Sequence, residues 1–122
     1  MLKIEDVVRD RGSRYAVSGA PARNRAEVSA FLSDLRRQKK YARATHNSWA
    51  AIFAGDGPVK NDDGEAGAGN IILQMLEREG LTDHVVVVTR WFGGVNLGGD
   101  RFTHIVTCVR AWLDAFHSGK SE

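Results

Sequence analysis

Asp62, Asp63 and Glu65 put three carboxylates into the glycine-rich stretch "NDDGEAGAG". Carboxylates this close can gather a hard cation through oxygen. With a metal or an activated water, and with His46 as a nearby base, they could serve a metal-assisted hydrolase. The spacing is not that of a calcium-binding loop, and adjacent aspartates project in different directions on most backbones. The same residues suit a local turn, with Asp63 accepting backbone N–H bonds and Gly64 taking a positive φ. They also suit a surface that faces a ligand or a protein partner. A second stretch, "RWFGGVNLGGDR", runs from Arg90 to Arg101. Its glycines would let the backbone approach a ligand, and the start of a following helix favours an anion. Neither phosphate-loop nor dinucleotide-loop spacing is present, and no lysine follows. Asp100 brings its own negative charge to the helix start, as a cap would. The segment reads either as a tight turn whose Trp91 and Phe92 pack on a sheet or as a recognition surface.

Other nucleophiles carry little pattern. Ser18, Ser29, Ser33 and Ser48 lie in no nucleophile elbow. Cys108 and His104 are one helical turn apart; Cys108 borders an apolar stripe and is expected as a packed thiol, with His104 on the opposite, polar side. His46, beside Asn47, reads as a base or as a buried hydrogen-bonding group. No metal-ligand set and no cofactor motif emerges, so neither is expected.

These residues need elements to hold them. Leu2 to Asp10 and Arg14 to Ala20 read as a hairpin turning at Arg11-Gly12-Ser13. "NRAEVSAFLSDLRRQKK" reads as one helix, with Asn24 and Glu27 as a reciprocal cap and Val28, Phe31, Leu32 and Leu35 on one face. His46 to Phe53 is a third strand, and Ala54 to Gly69 a long loop without apolar pattern. "NIILQMLEREGL" is a second helix, stopped at Gly80 with Leu81 closing onto Leu76. His84 to Trp91 is the fourth strand, whose valines imply burial on both faces or beside a covered edge. Asp100 to Phe116 is the last helix, with Phe102, Ile105, Val106, Val109, Trp112, Leu113 and Phe116 in one stripe. The order is ββαβαβα, an α/β two-layer (α+β) sandwich. One domain over residues 1–117 is expected, with a loose tail at 118–122.

The chain has 122 residues and a net charge of +2, with a pI near 8.9. That is mildly basic and short of a strong nucleic-acid footprint. The basic run of Arg36, Arg37, Lys39, Lys40 and Arg43 reads as a solvated helix end or as phosphate contacts. A single cysteine rules out an intramolecular disulfide and points to a reducing cytoplasm. No signal-peptide core and no apolar run of roughly 18 residues is present, so neither secretion nor a membrane helix is expected.

Several ordered motifs carry a resemblance. "GNIILQMLEREGLTDHVVVVTRWFGGVNLG", Gly69 to Gly98, is similar to the signature of the IMPACT family. Val87, Val88, Arg90, Trp91, Phe92, Gly93, Gly94, Leu97 and Gly98 match it position by position. "ATHNSWA" resembles the family's A-T-H-N segment, "DDGE" its acidic loop, and "GDRFTHI" its eukaryotic L-G-P-D-R-F-x-H-I. The resemblance implies a fold like domain 2 of ribosomal protein S5, a four-stranded sheet with helices on one face. It implies a cytosolic, non-catalytic regulator of translation and of the amino-acid-starvation response. Such a regulator would bind a ribosome-associated activator of the starvation kinase. Relatives of the fold also imply an RNA- or ribosome-binding alternative. Ala66 departs from the proline common in bacterial members. Without the N-terminal RWD or C-terminal ferredoxin-like domains of its relatives, the chain is expected as either a stand-alone single-domain member, the reading favoured here, or an excised domain. Residues expected at the binding corner are His46, Asn47, Asp62, Asp63, Glu65, Arg90, Trp91, Phe92, Gly93, Gly94, Asp100 and Arg101. Arg90, at the end of its strand, is expected to reach Asp63 or Glu65 and lock the loops through paired hydrogen bonds.

Overall fold

The computed structural model describes residues 1–119. Its elements are β1 (Leu2–Asp10), β2 (Ser13–Pro21), α1 (Arg25–Arg37), α2 (Lys39–Ala42), β3 (His46–Phe53), β4 (Gly57–Asn61), α3 (Ala68–Glu79), β5 (His84–Trp91) and α4 (Asp100–His117). The sheet order is β1-β2-β5-β3-β4, with every neighbouring pair antiparallel. An α+β sandwich therefore forms, with β5 at its centre.

The valine run follows from that central place. Val86 and Val88 pack with α3 and α4. Val85 and Val87 turn to the other face, against Val28, Phe31, Leu32 and Leu35 of α1 and Tyr41 of α2. Strand alternation buries both sets because both faces are covered. Helices thus lie on both sides of the sheet, where the family resemblance implied one side.

Local signals mostly hold. The Asn24 side chain accepts from the Glu27 N–H at 2.9 Å, but Glu27 reaches the Arg23 N–H at 2.7 Å, one residue before the expected partner. Gly80 has φ 64°, and the Leu81 N–H donates to the Leu76 carbonyl at 3.1 Å, closing the helix as expected.

Three expectations change. The stretch Ala54 to Gly69 contains a fifth strand, β4, on the sheet edge. Val59 is its one buried residue, so no alternation was there to read, and Pro58 is tolerated at an edge. The first helix breaks at Gln38, whose ψ of 120° is extended, and resumes as the short α2. Finally, Phe102 and Val106 leave the apolar stripe of α4 and stand exposed, while Ile105, Cys108, Val109, Trp112 and Leu113 are buried. Of the tail expected at 118–122, residues 120–122 lie outside the described residues; Ser118 N–H still caps α4. Among the described residues, no helix is long and apolar enough to cross a membrane.

Helix α4 is seated by two devices. The Trp112 indole N–H donates to the Leu2 carbonyl at 3.1 Å, and its ring lies directly over Gly19 of β2. A Cβ at Gly19 would come within 2.6 Å of that ring and 2.8 Å of the Val85 carbonyl oxygen. At its other end, α4 is tied to the β1–β2 turn. Asp100 pairs with Arg11, and His104 Nε2 lies 2.7 Å from Asp10 Oδ2.

Gly19→Ala should therefore destabilise the fold by about 1–3 kcal/mol through overpacking, read as a lower urea midpoint; an unchanged midpoint would show that α4 shifts freely. The Asp10 carboxyl is held down at about 2, from an ordinary 3.8, first by its hydrogen bond to Arg11 and then by that to His104. A depressed carboxylate stabilises the fold above its unfolded pKa and loses that contribution as pH falls through the folded value. The stability deficit of Asp10→Asn should accordingly be full above pH 3.8 and fade toward about pH 2, measured as urea midpoints across that range.

Candidate functional site

At one end of the sheet, β5 runs out and its alternation sends neighbouring side chains apart. Arg90 turns to the α4 face and Trp91 to the α1 face. Arg90 is 5% exposed and Glu65 4%. Arg90 Nη1 donates to both Glu65 oxygens, at 3.0 and 3.1 Å, and Nη2 donates to Ser13 Oγ at 3.3 Å. The expected lock thus forms on Glu65 and not on Asp63. It uses one nitrogen shared between two oxygens in place of a two-nitrogen fork. The guanidinium also lies 5.6 Å from the Tyr15 and the Phe92 ring centres, a cation–π setting.

Each of the other loop carboxylates has separate work. Asp62 accepts from the N–H groups of Gly67 at 3.0 Å and Gly69 at 2.7 Å. It thereby stands in for the side-chain cap that Gly67, the N-cap of α3, lacks. The Gly67 bond, above all, lowers its pKa. Asp63, at φ 49°, accepts from the Asn47 N–H at 2.7 Å, and its carbonyl accepts from His46 Nδ1 at 2.8 Å. Gly64 takes φ 84°. Asn47 in turn accepts from Thr89 Oγ1 at 2.7 Å. The turn reading of this loop is the one the geometry supports. The cation reading fails because the three carboxylates point to three different sets of donors. Among the described residues, no group of three or more His, Cys, Asp or Glu side chains is arranged to hold a metal.

Glu65 has two further neighbours, His46 Nε2 at 3.5 Å and Arg101 Nη1 at 3.6 Å. His46, Glu65, Arg90, Phe92, Leu97 and Arg101 line a cavity of about 340 Å³. Of the glycines, Gly93 is held hardest: a Cβ there would fall 2.0 Å from the Gly12 carbonyl carbon. Its N–H donates to Ser13 Oγ at 3.1 Å. Gly94 takes φ 94°. Phe92 projects outward, 46% exposed.

Several expected members stand elsewhere. Trp91 is half-buried on the opposite face, donating from Nε1 to the Lys40 carbonyl at 2.8 Å and meeting the Tyr41 ring at 5.2 Å. It is a structural residue and offers no free anchor. Asp100 is no cap; Gly99 holds that position without a side-chain bond, and Asp100 pairs with Arg11. Arg36 and Arg37 lie at the end of α1, Lys39 and Lys40 in α2, and Arg43 at the C-cap of α2; none of them lines the cavity. Arg37 pairs with Asp34 at 3.2 Å and Lys40 with Glu5 at 3.1 Å. His104 faces inward and not toward solvent, with its ring 5.3 Å from Tyr15. Burial pushes the Cys108 thiol up to about 12, which keeps it protonated.

Sequence reasoning missed three members. Ser13 bridges Arg90 and Gly93. Thr45 Oγ1 accepts from the Phe92 N–H at 2.9 Å. Tyr15 packs under the guanidinium. Only Tyr15, an aromatic on the strand that pairs with β5, carried a usable signal.

The fold and this corner define a small α+β domain in which one buried ion pair ties the acidic loop, the β1–β2 turn and the glycine-rich segment together. Residues 11–113 match the Impact N-terminal domain, and the chain belongs to that family. It is 41% identical to Protein IMPACT of Bos taurus, over 84% of this chain and 34% of that protein. It is 36% identical to the Protein IMPACT homolog of Dictyostelium discoideum, over 91% of this chain and 33% of that protein. The chain spans about a third of the length of these relatives. A crystal structure of a hypothetical protein superposes with a TM-score of 0.77 at 25% identity, covering 93% of this chain and 57% of that one.

Arg90→Met should cost about 3–5 kcal/mol, because it removes the hydrogen-bonded partner of a buried carboxylate and leaves Glu65 only the longer approaches of His46 and Arg101. Glu65→Gln added to that variant should recover part of the loss. Urea denaturation of both variants, with hydrogen exchange in residues 62–67, checks this; full protection of that loop in Arg90→Met would count against the lock.

Proposed function

We propose that this domain is a non-catalytic, protein-binding module that regulates translation in the cytoplasm. Its finer role would be in the amino-acid-starvation response, through a ribosome-associated partner. Membership of the Impact N-terminal family supports the setting. The observation that carries a binding role is the loop after β5. Its start is pinned by the Thr45 and Ser13 hydroxyls, yet it holds Phe92 and Val95 at 46% and 47% exposure. Exposed aromatic side chains such as Phe are enriched at protein interfaces. The carboxylates, by contrast, are already bonded to protein donors, which speaks against the hydrolase reading.

The RNA-binding alternative has one observation in its favour. Lys40 and Arg14 both lie over the Trp91 ring, at 5.3 and 5.5 Å, which gathers basic groups on the α1–α2 face. Binding through that face would fall steeply with salt.

The test uses the domain against salt-washed ribosomal proteins, with and without nuclease. Phe92→Ala with Val95→Ser should weaken capture about tenfold, as loss of an anchor does, and nuclease should leave it unchanged. If charge reversal at Lys39, Lys40 and Arg43 abolishes capture instead, and nuclease does the same, the RNA reading replaces this one.

A further inference from the structure

We propose that the cavity at this corner is a binding site for an oxyanion, a carboxylate or phosphate group, held chiefly by Arg101. The argument begins with the charges of its lining. Two guanidiniums, Arg90 and Arg101, face one carboxylate, Glu65, among the described residues that line it. Glu65 is already committed, with both oxygens within 3.1 Å of Arg90 Nη1. Arg101 Nη1 stands off at 3.6 Å, beyond hydrogen-bond reach. The neighbouring Asp100 is engaged with Arg11. The charge of Arg101 is therefore met only by a longer ion-pair contact with Glu65, without a hydrogen bond.

Arg101 is also held in place. Its Nε donates to the Gly98 carbonyl at 3.2 Å, and its guanidinium lies 4.7 Å from the Phe102 ring centre. Those contacts leave both Nη groups without a hydrogen-bonded acceptor among the described residues. A fixed guanidinium with free Nη donors is the geometry that takes an oxyanion through two parallel bonds. The N-terminus of α4 adds a favourable dipole; its cap, Gly99, supplies no side-chain acceptor, and the first-turn Asp100 is paired with Arg11. Across the cavity, His46 Nδ1 is occupied by the Asp63 carbonyl. Its Nε2 is thus turned to the cavity wall, 3.5 Å from Glu65 Oε2. A volume of about 340 Å³ admits such a group with room for the chain that carries it. The site stands on these charges alone, whether or not the exposed loop meets a translation partner.

The experiment is a two-dimensional amide NMR titration with inorganic phosphate and, separately, with acetate, at constant ionic strength. The expected result is saturable shifts at Gly64, Asn96 and Gly98. Affinity should drop about tenfold in Arg101→Gln, as loss of a charge-assisted contact implies. Arg101→Lys should recover part of that loss, and Arg78→Gln, on α3 outside this cavity, should bind as wild type. Saturation by phosphate alone would assign a phosphate group, and by acetate alone an acidic side chain or small acid. Shifts that never saturate, equal affinity in Arg101→Gln, or equal losses in the Gln and Lys variants would overturn the proposal.

Discussion

The corner depends on the burial of Arg90 against Glu65. Removing two charges from water is expensive, and their attraction offsets that only when geometry and surrounding hydrogen bonds are good. Here the supports come from separate parts of the chain. Ser13 of the first hairpin bonds one guanidinium nitrogen. Tyr15 and Phe92 flank its plane, and the loop that carries Glu65 is itself held by Asp62 and Asp63. Such a pair contributes little net stability, but it fixes which loops meet. Segments as distant as Ser13 and Arg90 become one rigid unit. Arg90 Nε remains buried without a partner, a residual cost that a purely stabilising arrangement would have removed.

Backbone proximity is the second constraint, and it explains why glycines sit where they do. Gly93 lies against the Gly12–Ser13 backbone so closely that any side chain would overlap it. The approach lets Ser13 Oγ serve Arg90 and the Gly93 N–H together. The opening glycine pair of the segment is thus a packing device between two turns. That accounts for a phosphate-loop appearance without phosphate-loop spacing. The second pair, at Gly98 and Gly99, meets no neighbour and leaves the start of α4 open.

Much of this was legible in the sequence, and the reasons are local. Four valines pointed to a strand buried on both faces or beside a covered edge, and β5 is buried on both. Asn24 and Gly80 marked helix ends, since their chemistry acts within one turn. Arg90 was expected to reach the acidic loop because it ends a buried strand and a charge there needs a partner. What stayed hidden was non-local. Whether Glu65 or Asp63 receives the arginine depends on Asn47 having already claimed Asp63. β4 was invisible because an edge strand with one buried side chain has no period. Trp91 could pack on the sheet or stand as an anchor, and the choice depends on α2, which lies against it. The break at Gln38 that creates α2 has no signal stronger than the loss of apolar spacing.

Strand alternation then divides the glycine-rich segment's own residues between two surfaces. Trp91 joins the α1–α2 packing with Lys40 and Tyr41, while Arg90 and Phe92 go to the cavity on the other side. A functional reading must therefore choose a face. On the cavity side, each carboxylate of the acidic loop already accepts hydrogen bonds from protein donors. What remains is one guanidinium, Arg101, whose Nη groups have no hydrogen-bonded acceptor among the described residues, and the exposed apolar side chains of Phe92 and Val95. Acid–base chemistry needs an unengaged carboxylate or base aimed at a reacting atom, and the acidic loop offers none. A cation beside exposed apolar groups is what the proposed recognition of an acidic and partly apolar partner would use. The ion pair that holds the loops together engages Glu65, and backbone N–H groups engage Asp62 and Asp63, so the contacts that fix the corner are the same ones on which the proposed recognition role would rest.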